Sequence, residues 1–243
     1  MQFTISARGK PAARPIQQLI KANFSDIPTE DIESFFGFTE PCSLYGGRVF
    51  KATELSRYDL RSLYKMGINL RLPLTNHYAT AQEYEECRPF LEKHYRPGNS
   101  VILTNDDLAR WIKTDFPDYR IEASVIKNIN SVKKVEQAYK IYDTVILPME
   151  ANEDEKLLLS MPEKERIMLF ANAGCAMTCP SKICYTSVSK INKGADDSTW
   201  QCSQPLKDRD TRGMIDFDLD YLQSLGFDRF KLLRSRPGQM TGF

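Results

Sequence analysis

The chain has 243 residues, 42% hydrophobic and 27% charged, with 33 basic and 32 acidic side chains and a net charge of +1. That balance argues against a long nucleic-acid duplex or an anionic membrane as the main partner. No run approaches the roughly 18 apolar residues of a membrane span, and a chain this long needs no covalent staples.

QFTIS opens the chain as a first strand. Residues 16–36 carry Ile16, Leu19, Ile20, Phe24 and Ile27 at helical spacing and read as two helices broken near Pro28. SLYGG, from Ser43, reads as the second strand and residues 55–66 as a helix. The strand INLRLPL from Ile68 and a helix over 81–95 follow. Next come SVILT from Ser100, a helix over 106–115, YRIEASV from Tyr119 and a helix over 132–141. DTVILP from Asp143, RIMLFAN from Arg166, a helix over 219–225 and RFKLL from Arg229 complete the series. Asp106 and Ser131 read as N-caps.

Nearly continuous apolar strands alternating with helices imply a parallel sheet covered on its outside. Eight such units in this length are the usual size of a closed (β/α)8 TIM-type barrel, with a doubly wound open sheet as the alternative. Without a linker or repeat, residues 1–243 read as one domain. Residues 173–215 lack periodicity and read as a long inserted metal-binding loop after the seventh strand.

This loop holds four of the six cysteines, Cys175, Cys179, Cys184 and Cys202, separated by three, four and seventeen residues. The opening MQFTISARGKPAARP has no signal-peptide apolar region, so a cytoplasmic location is expected. There, clustered cysteines serve metals or catalysis more often than disulfides. Four thiolates suit an iron–sulfur cluster of the 4Fe-4S type or tetrahedral zinc. The absence of paired CxxC knuckles favours the cluster, with buried or redox thiols as the bland reading. Cys42 and Cys87 read as packing residues.

Several segments together resemble the collagenase-like peptidase family, family 32 of the peptidases of unassigned mechanism. They are SLYGGRVFKATELSRYDLRSLYKMGINLRL, IEASVIKNINSVKKVEQAYKIYDTVILPMEAN, NAGCAMTCPSKICYTS with CSQPL, and YLQSLGFDRFKLLRSRPG. The resemblance spans about Ser43 to Gly238. It implies a (β/α)8-type barrel, a four-cysteine 4Fe-4S site, and either peptidase activity or oxygen-independent hydroxylation. Cys175, Cys184 and Cys202 match the family cysteines best, leaving Cys179 as fourth ligand. The family's KIEGR stands here as KLLRSR, with Leu233 in place of the glutamate. Some members work as heteromers, so a hetero-oligomeric partner is implied.

Barrel chemistry sits at the C-terminal ends of strands. Those ends offer Glu122, His77 and Glu150 as catalytic candidates, and Arg48, Asn76, Asn105 and Asn172 as substrate-binding ones. Ser124, Lys127 and Asn152 stand at comparable positions. Each has a bland alternative: His77 and Asn105 as helix caps, Glu150 as part of the solvated EANEDEK run, Glu122 as an outward carboxylate. His94 reads as a surface residue. Lys231, Arg234 and Arg236 gather at the last strand and suit a phosphorylated or carboxylated substrate. The reading favours an enzyme, an iron–sulfur oxidoreductase acting on a small-molecule or nucleotide substrate. A peptidase, or a non-enzymatic barrel whose metal stiffens a partner-binding loop, are the alternatives.

Overall fold

Along each strand, one set of apolar residues faces the helices: Ile5, Phe35, Leu70, Val101, Ile121, Val145, Leu169 and Phe230 are buried in one continuous core. The alternate residues turn inward, and that two-sided burial closes the sheet. The computed structural model describes residues 1–179, 181–204 and 214–234. Strands β1 (Gln2–Ser6), β2 (Ile32–Phe36), β3 (Asn69–Leu72), β4 (Ser100–Leu103), β5 (Arg120–Ala123), β6 (Thr144–Ile146), β7 (Ile167–Phe170) and β8 (Arg229–Leu232) pair in sequence order as a closed parallel barrel. Helices α1 (Ile16–Asn23), α2 (Arg57–Lys65), α3 (Ala81–His94), α4 (Asp106–Asp115), α5 (Val132–Ala138) and α6 (Glu155–Leu159) follow β1 to β6 in turn. Both α7 (Cys184–Ile191) and α8 (Leu219–Ser224) lie between β7 and β8. The fold is therefore the expected TIM-type barrel. No helix among the described residues is long and apolar enough to cross a membrane.

Strand pairing and alternation sort the inward side chains into four layers, each drawn from alternate strands. From the bottom they are Ser34, Ser100, Thr144 and Arg229; then Thr4, Arg71, Glu122 and Met168. Above these come Phe36, Ile102, Ile146 and Lys231, and at the rim Ser6, Pro73, Ser124 and Phe170. The two lower layers are polar. Arg71, 2% exposed, donates from Nη2 to Glu33 (2.8 Å) and from Nε to Ser100 (3.2 Å), and its Nε lies 3.0 Å from Glu122. Its Nη1 meets Thr4 and, at 3.5 Å, the Met168 sulfur. Arg229 joins Thr144 (2.8 Å) to Glu33 (3.1 Å), and Arg120 adds a third cation to Glu33 at 2.7 Å.

Several expectations need correction. SLYGG is not a strand; the second strand is IESFF, which helical spacing had claimed. Its alternation is masked by a bulge: Phe3 pairs with Ile32 but Thr4 with Ser34, leaving Glu33 as the extra residue. The bulge re-aims Glu33 toward the barrel floor. Residues 173–215 are not without structure, since α7 lies within them and buries Cys184, Val188 and Ile191 on one face. Asn105 caps α4 in place of Asp106, while Ser131 caps α5 as expected. His94 is buried, its Nε2 3.2 Å from Thr39 Oγ1, and burial lowers its pKa to about 4. Cys42 and Cys87 pack together with their sulfurs 3.6 Å apart.

Removing the Arg71 guanidinium takes from the fully buried Glu122 carboxyl the cation 3.0 Å away and from Glu33 one of its three arginine partners. Arg71→Met is expected to cost about 3–5 kcal/mol, read from the urea midpoint. Burial alone would raise the Glu33 pKa, but Arg71, Arg229 and Arg120 together outweigh it and lower the value to about 2. The stabilisation this supplies is complete above the ordinary glutamate range and lost as pH falls toward 2. Stability of the wild type should drop through that acid window, and Glu33→Gln should flatten the drop while lowering stability at pH 7.

Candidate active site

Above the apolar third layer lies a cavity of about 150 Å³. Its floor includes Phe36, Ile102 and Lys231, and its walls include Ser6, Pro73, Ser124 and Phe170. Loops add Arg8, Gly46, Gly47, Arg48, Thr75, Gly174, Cys175 and Tyr185. A larger hollow of about 630 Å³ adjoins it and shares Arg8 and Arg48.

The β2 loop positions Arg48 through two glycines with different duties. A Cβ on Gly46 would lie 2.3 Å from the Thr75 carbonyl oxygen, so no side chain fits. Gly47 has φ +76°, a conformation costly for other residues. The Arg48 guanidinium then lies 4.1 Å over the Phe38 ring and grips Glu54 with both terminal nitrogens. Burial and the Arg48 charge lower the Arg8 pKa to about 10, which leaves it cationic at neutral pH.

Lys231 is 7% exposed, with Nζ 4.4 Å from the centre of the Phe36 ring. Burial lowers its pKa to about 8 against the opposing field of Glu122. Arg234 pairs with Asp216 on the neighbouring segment. Arg236 lies outside the described residues.

The asparagines serve as clamps. Asn76 Nδ2, fully buried, is within hydrogen-bond distance of the carbonyls of Ser43 (2.9 Å), Tyr45 (3.1 Å) and Ser189 (2.9 Å). Its Oδ1 accepts from Tyr78 N–H at 2.9 Å. Asn172 donates to the Arg234 carbonyl and accepts from Leu233 N–H, both at 2.9 Å, fastening β7 to β8. Asn152 donates to the Phe170 carbonyl at 2.7 Å. Asn105 accepts from Leu108 N–H at 2.9 Å as the α4 cap.

The three acid–base candidates do not meet. Glu122 is fully buried in the second layer, beneath the cavity, beside Arg71. Glu150 forms a 2.9 Å ion pair with Lys182 of the cysteine loop. His77 Nδ1 lies 3.1 Å from Ser189 Oγ, which itself donates to the Tyr185 carbonyl and accepts from His77 N–H. Because the serine proton is spent on Tyr185, His77 has none to withdraw. Burial also lowers the His77 pKa, keeping it neutral at pH 7.

Sequence reasoning omitted Arg8, Ser6, Thr75 and Tyr185. The signal was present for two of them: Ser6 ends β1 and Arg8 follows it, where the strand-end rule applies equally.

All six cysteines are free thiols. Cys175 borders the cavity. Cys184 is buried at the first turn of α7, and burial, then the charges of Cys175, Cys202 and Cys179, push its pKa up to about 12. The Cys179 sulfur lies 3.1 Å from Ser203 Oγ and accepts from Lys182 N–H at 3.2 Å; Cys202 accepts from Gln204 N–H at 3.4 Å. Burial alone would raise the Cys179 pKa, but Ser203 and the backbone N–H groups of Lys182 and Ser181 outweigh it and lower the value. Among the described residues, no three His, Cys, Asp or Glu side chains are gathered closely enough to hold a metal ion. The four sulfurs thus share a neighbourhood and an electrostatic field without forming a ligand sphere. As a donor set they fit a soft metal: four sulfurs from one loop, none spent in a disulfide.

No family model matches the chain, and no curated protein matches it. It is similar in fold to a solved structure described as "The Structure of the U32 Peptidase Mk0906". The TM-score is 0.63 at 12% identity, covering 98% of this chain and 94% of that one. At that identity the likeness is one of fold, which agrees with the collagenase-like peptidase family at that level.

Asn76 ties α7 to the β2 and β3 loops with a single amide. Asn76→Ala should cost about 1–3 kcal/mol in a denaturant melt, because buried carbonyls lose their donor. Amide exchange should quicken over α7, with the barrel strands unchanged.

Proposed function

We propose that the chain is an iron–sulfur barrel enzyme that modifies a small-molecule or nucleotide-type substrate by oxygen-independent hydroxylation. The observation carrying this reading is the position of the four free cysteines, on one loop above the barrel mouth with Cys175 in the cavity wall. Cys175, Cys179, Cys184 and Cys202 would hold the centre. A structural zinc is enclosed by its ligands, whereas a centre held partly by Cys175 borders substrate space. When bound, an iron–sulfur cluster supplies a carrier for the electrons released as C–H and water become C–OH and protons, and an external acceptor removes them.

The chain's own residues supply the rest. Phe36, Ile102 and Phe170 shield the floor from water, while Ser6, Thr75 and Ser124 offer hydroxyls along the wall. Arg8 and Arg48 border both hollows and suit a carboxylate or phosphate of the substrate. Hydrolysis of a peptide finds less support, because the His77–Ser189 contact lacks a transferable proton.

Anaerobically purified protein should contain iron and acid-labile sulfide in equal amounts, with broad visible absorbance. Cys175→Ser and Cys179→Ser should each lose most of that iron while the barrel still melts cooperatively. Wild-type protein carrying zinc without sulfide, or no metal after anaerobic reconstitution, would overturn the proposal.

A further inference from the structure

Lys231 occupies the one cationic place in an otherwise apolar layer, where Phe36, Ile102 and Ile146 fill the other three positions. A lysine held for structure would meet a carboxylate or a ring of carbonyls. Here, among the described residues, Nζ forms no hydrogen bond or ion pair, and its close partner is the Phe36 ring at 4.4 Å. Glu122, in the layer below, has Oε1 3.0 Å from Arg71 Nε and acts on Lys231 through its charge, without a hydrogen bond between them. The amine borders the cavity of about 150 Å³, the share of about five waters in the liquid.

We propose that Lys231 is a carbonyl-capturing amine whose Nζ condenses with the aldehyde or ketone of a small anionic substrate, such as a 2-oxo acid. The nitrogen lone pair adds to the carbonyl carbon. The amine's two hydrogens then leave with the carbonyl oxygen as water, and a C=N bond remains. Arg8 and Arg48 at the cavity border receive the substrate's anionic group, and the apolar walls accommodate a short carbon chain. The geometry suits the step because burial disfavours the ammonium form. With a pKa of about 8, a substantial fraction of Lys231 is free amine near neutral pH, where exposed lysines hold almost none. The amine stands on β8 and the thiols on the β7 loop, so this inference stands apart from the iron–sulfur reading.

The test treats the full chain with glyoxylate and sodium cyanoborohydride at neutral pH, then maps the products by peptide mass spectrometry. Hydride from the reductant converts each imine to a stable secondary amine. Lys231 should acquire a carboxymethyl group at least about tenfold faster than exposed lysines such as Lys51, following the difference in free amine. Lys231→Arg, with its fold checked by circular dichroism, should lose that label and keep the slow pattern elsewhere. The wild-type map decides the matter even if the variant fails to fold. Lys231 left unlabelled, or labelled no faster than surface lysines, overturns the proposal and leaves the residue a fixed internal cation. Because the readout is a covalent mark on the protein, it is the same with or without metal in the cysteine loop.

Discussion

One guanidinium holds this barrel's interior together. Arg71 projects from β3 and meets Thr4 of β1, Glu33 of β2, Ser100 of β4, Glu122 of β5 and Met168 of β7. Arg229 of β8 brings in Thr144 of β6, so every strand is tied to a network centred on Glu33 and Arg71. Replacing such a buried network by well-packed apolar side chains often leaves stability unchanged or higher. Its value here lies in register. A barrel closes only at a fixed stagger between strands, and a planar cation with directed donors admits fewer staggers than a greasy core does. The Glu33 bulge belongs to the same device, since without the extra residue β2 would lack a carboxylate at that depth.

The charged floor shapes the mouth above it. Phe36, Ile102 and Ile146 separate the lower ions from the cavity, so charges on the two sides interact through a poorly screening layer. Lys231 sits in that layer and feels burial first, with Glu122 and Arg71 acting in opposite directions from below and Arg48 from above. Its lowered pKa is thus a property of the layered lumen. The neighbouring rim is cationic through Arg8 and through Arg48, which is already paired with Glu54.

The sequence disclosed the barrel because seven of its strands are buried on both faces and read as short apolar runs. It hid the eighth where the two-residue period fails: IESFF carries the Glu33 bulge, and the preceding apolar residues keep helical spacing. SLYGG looked like a strand because Leu44 and Tyr45 are buried, but they pack in a loop whose glycines serve Arg48. The strand-end rule located the mouth correctly and misjudged the asparagines there. It identifies where a side chain begins, not which carbonyls compete for its amide, and Asn76 and Asn172 are saturated by backbone. Glu122 was legible as buried, yet its depth below the rim depends on a stagger that no single strand encodes.

Those saturated amides also bear on how the cysteine loop can work. Helix α7 is fastened at Ser189 by Asn76. One turn later its C-cap, Asn192, donates to the carbonyls of Tyr45 and Arg48 and accepts from Phe50 N–H at 2.8 Å. Cys184, at the other end of the same eight-residue helix, is therefore fixed relative to Arg48 through the backbone of the YGG loop. Cys175 opens a short 3-10 helix, Cys175–Met177, and its carbonyl accepts from Gln204 Nε2 at 2.8 Å. Of the four loop cysteines, Cys184 is thus the one carried on a helix that two asparagines fasten at its far end.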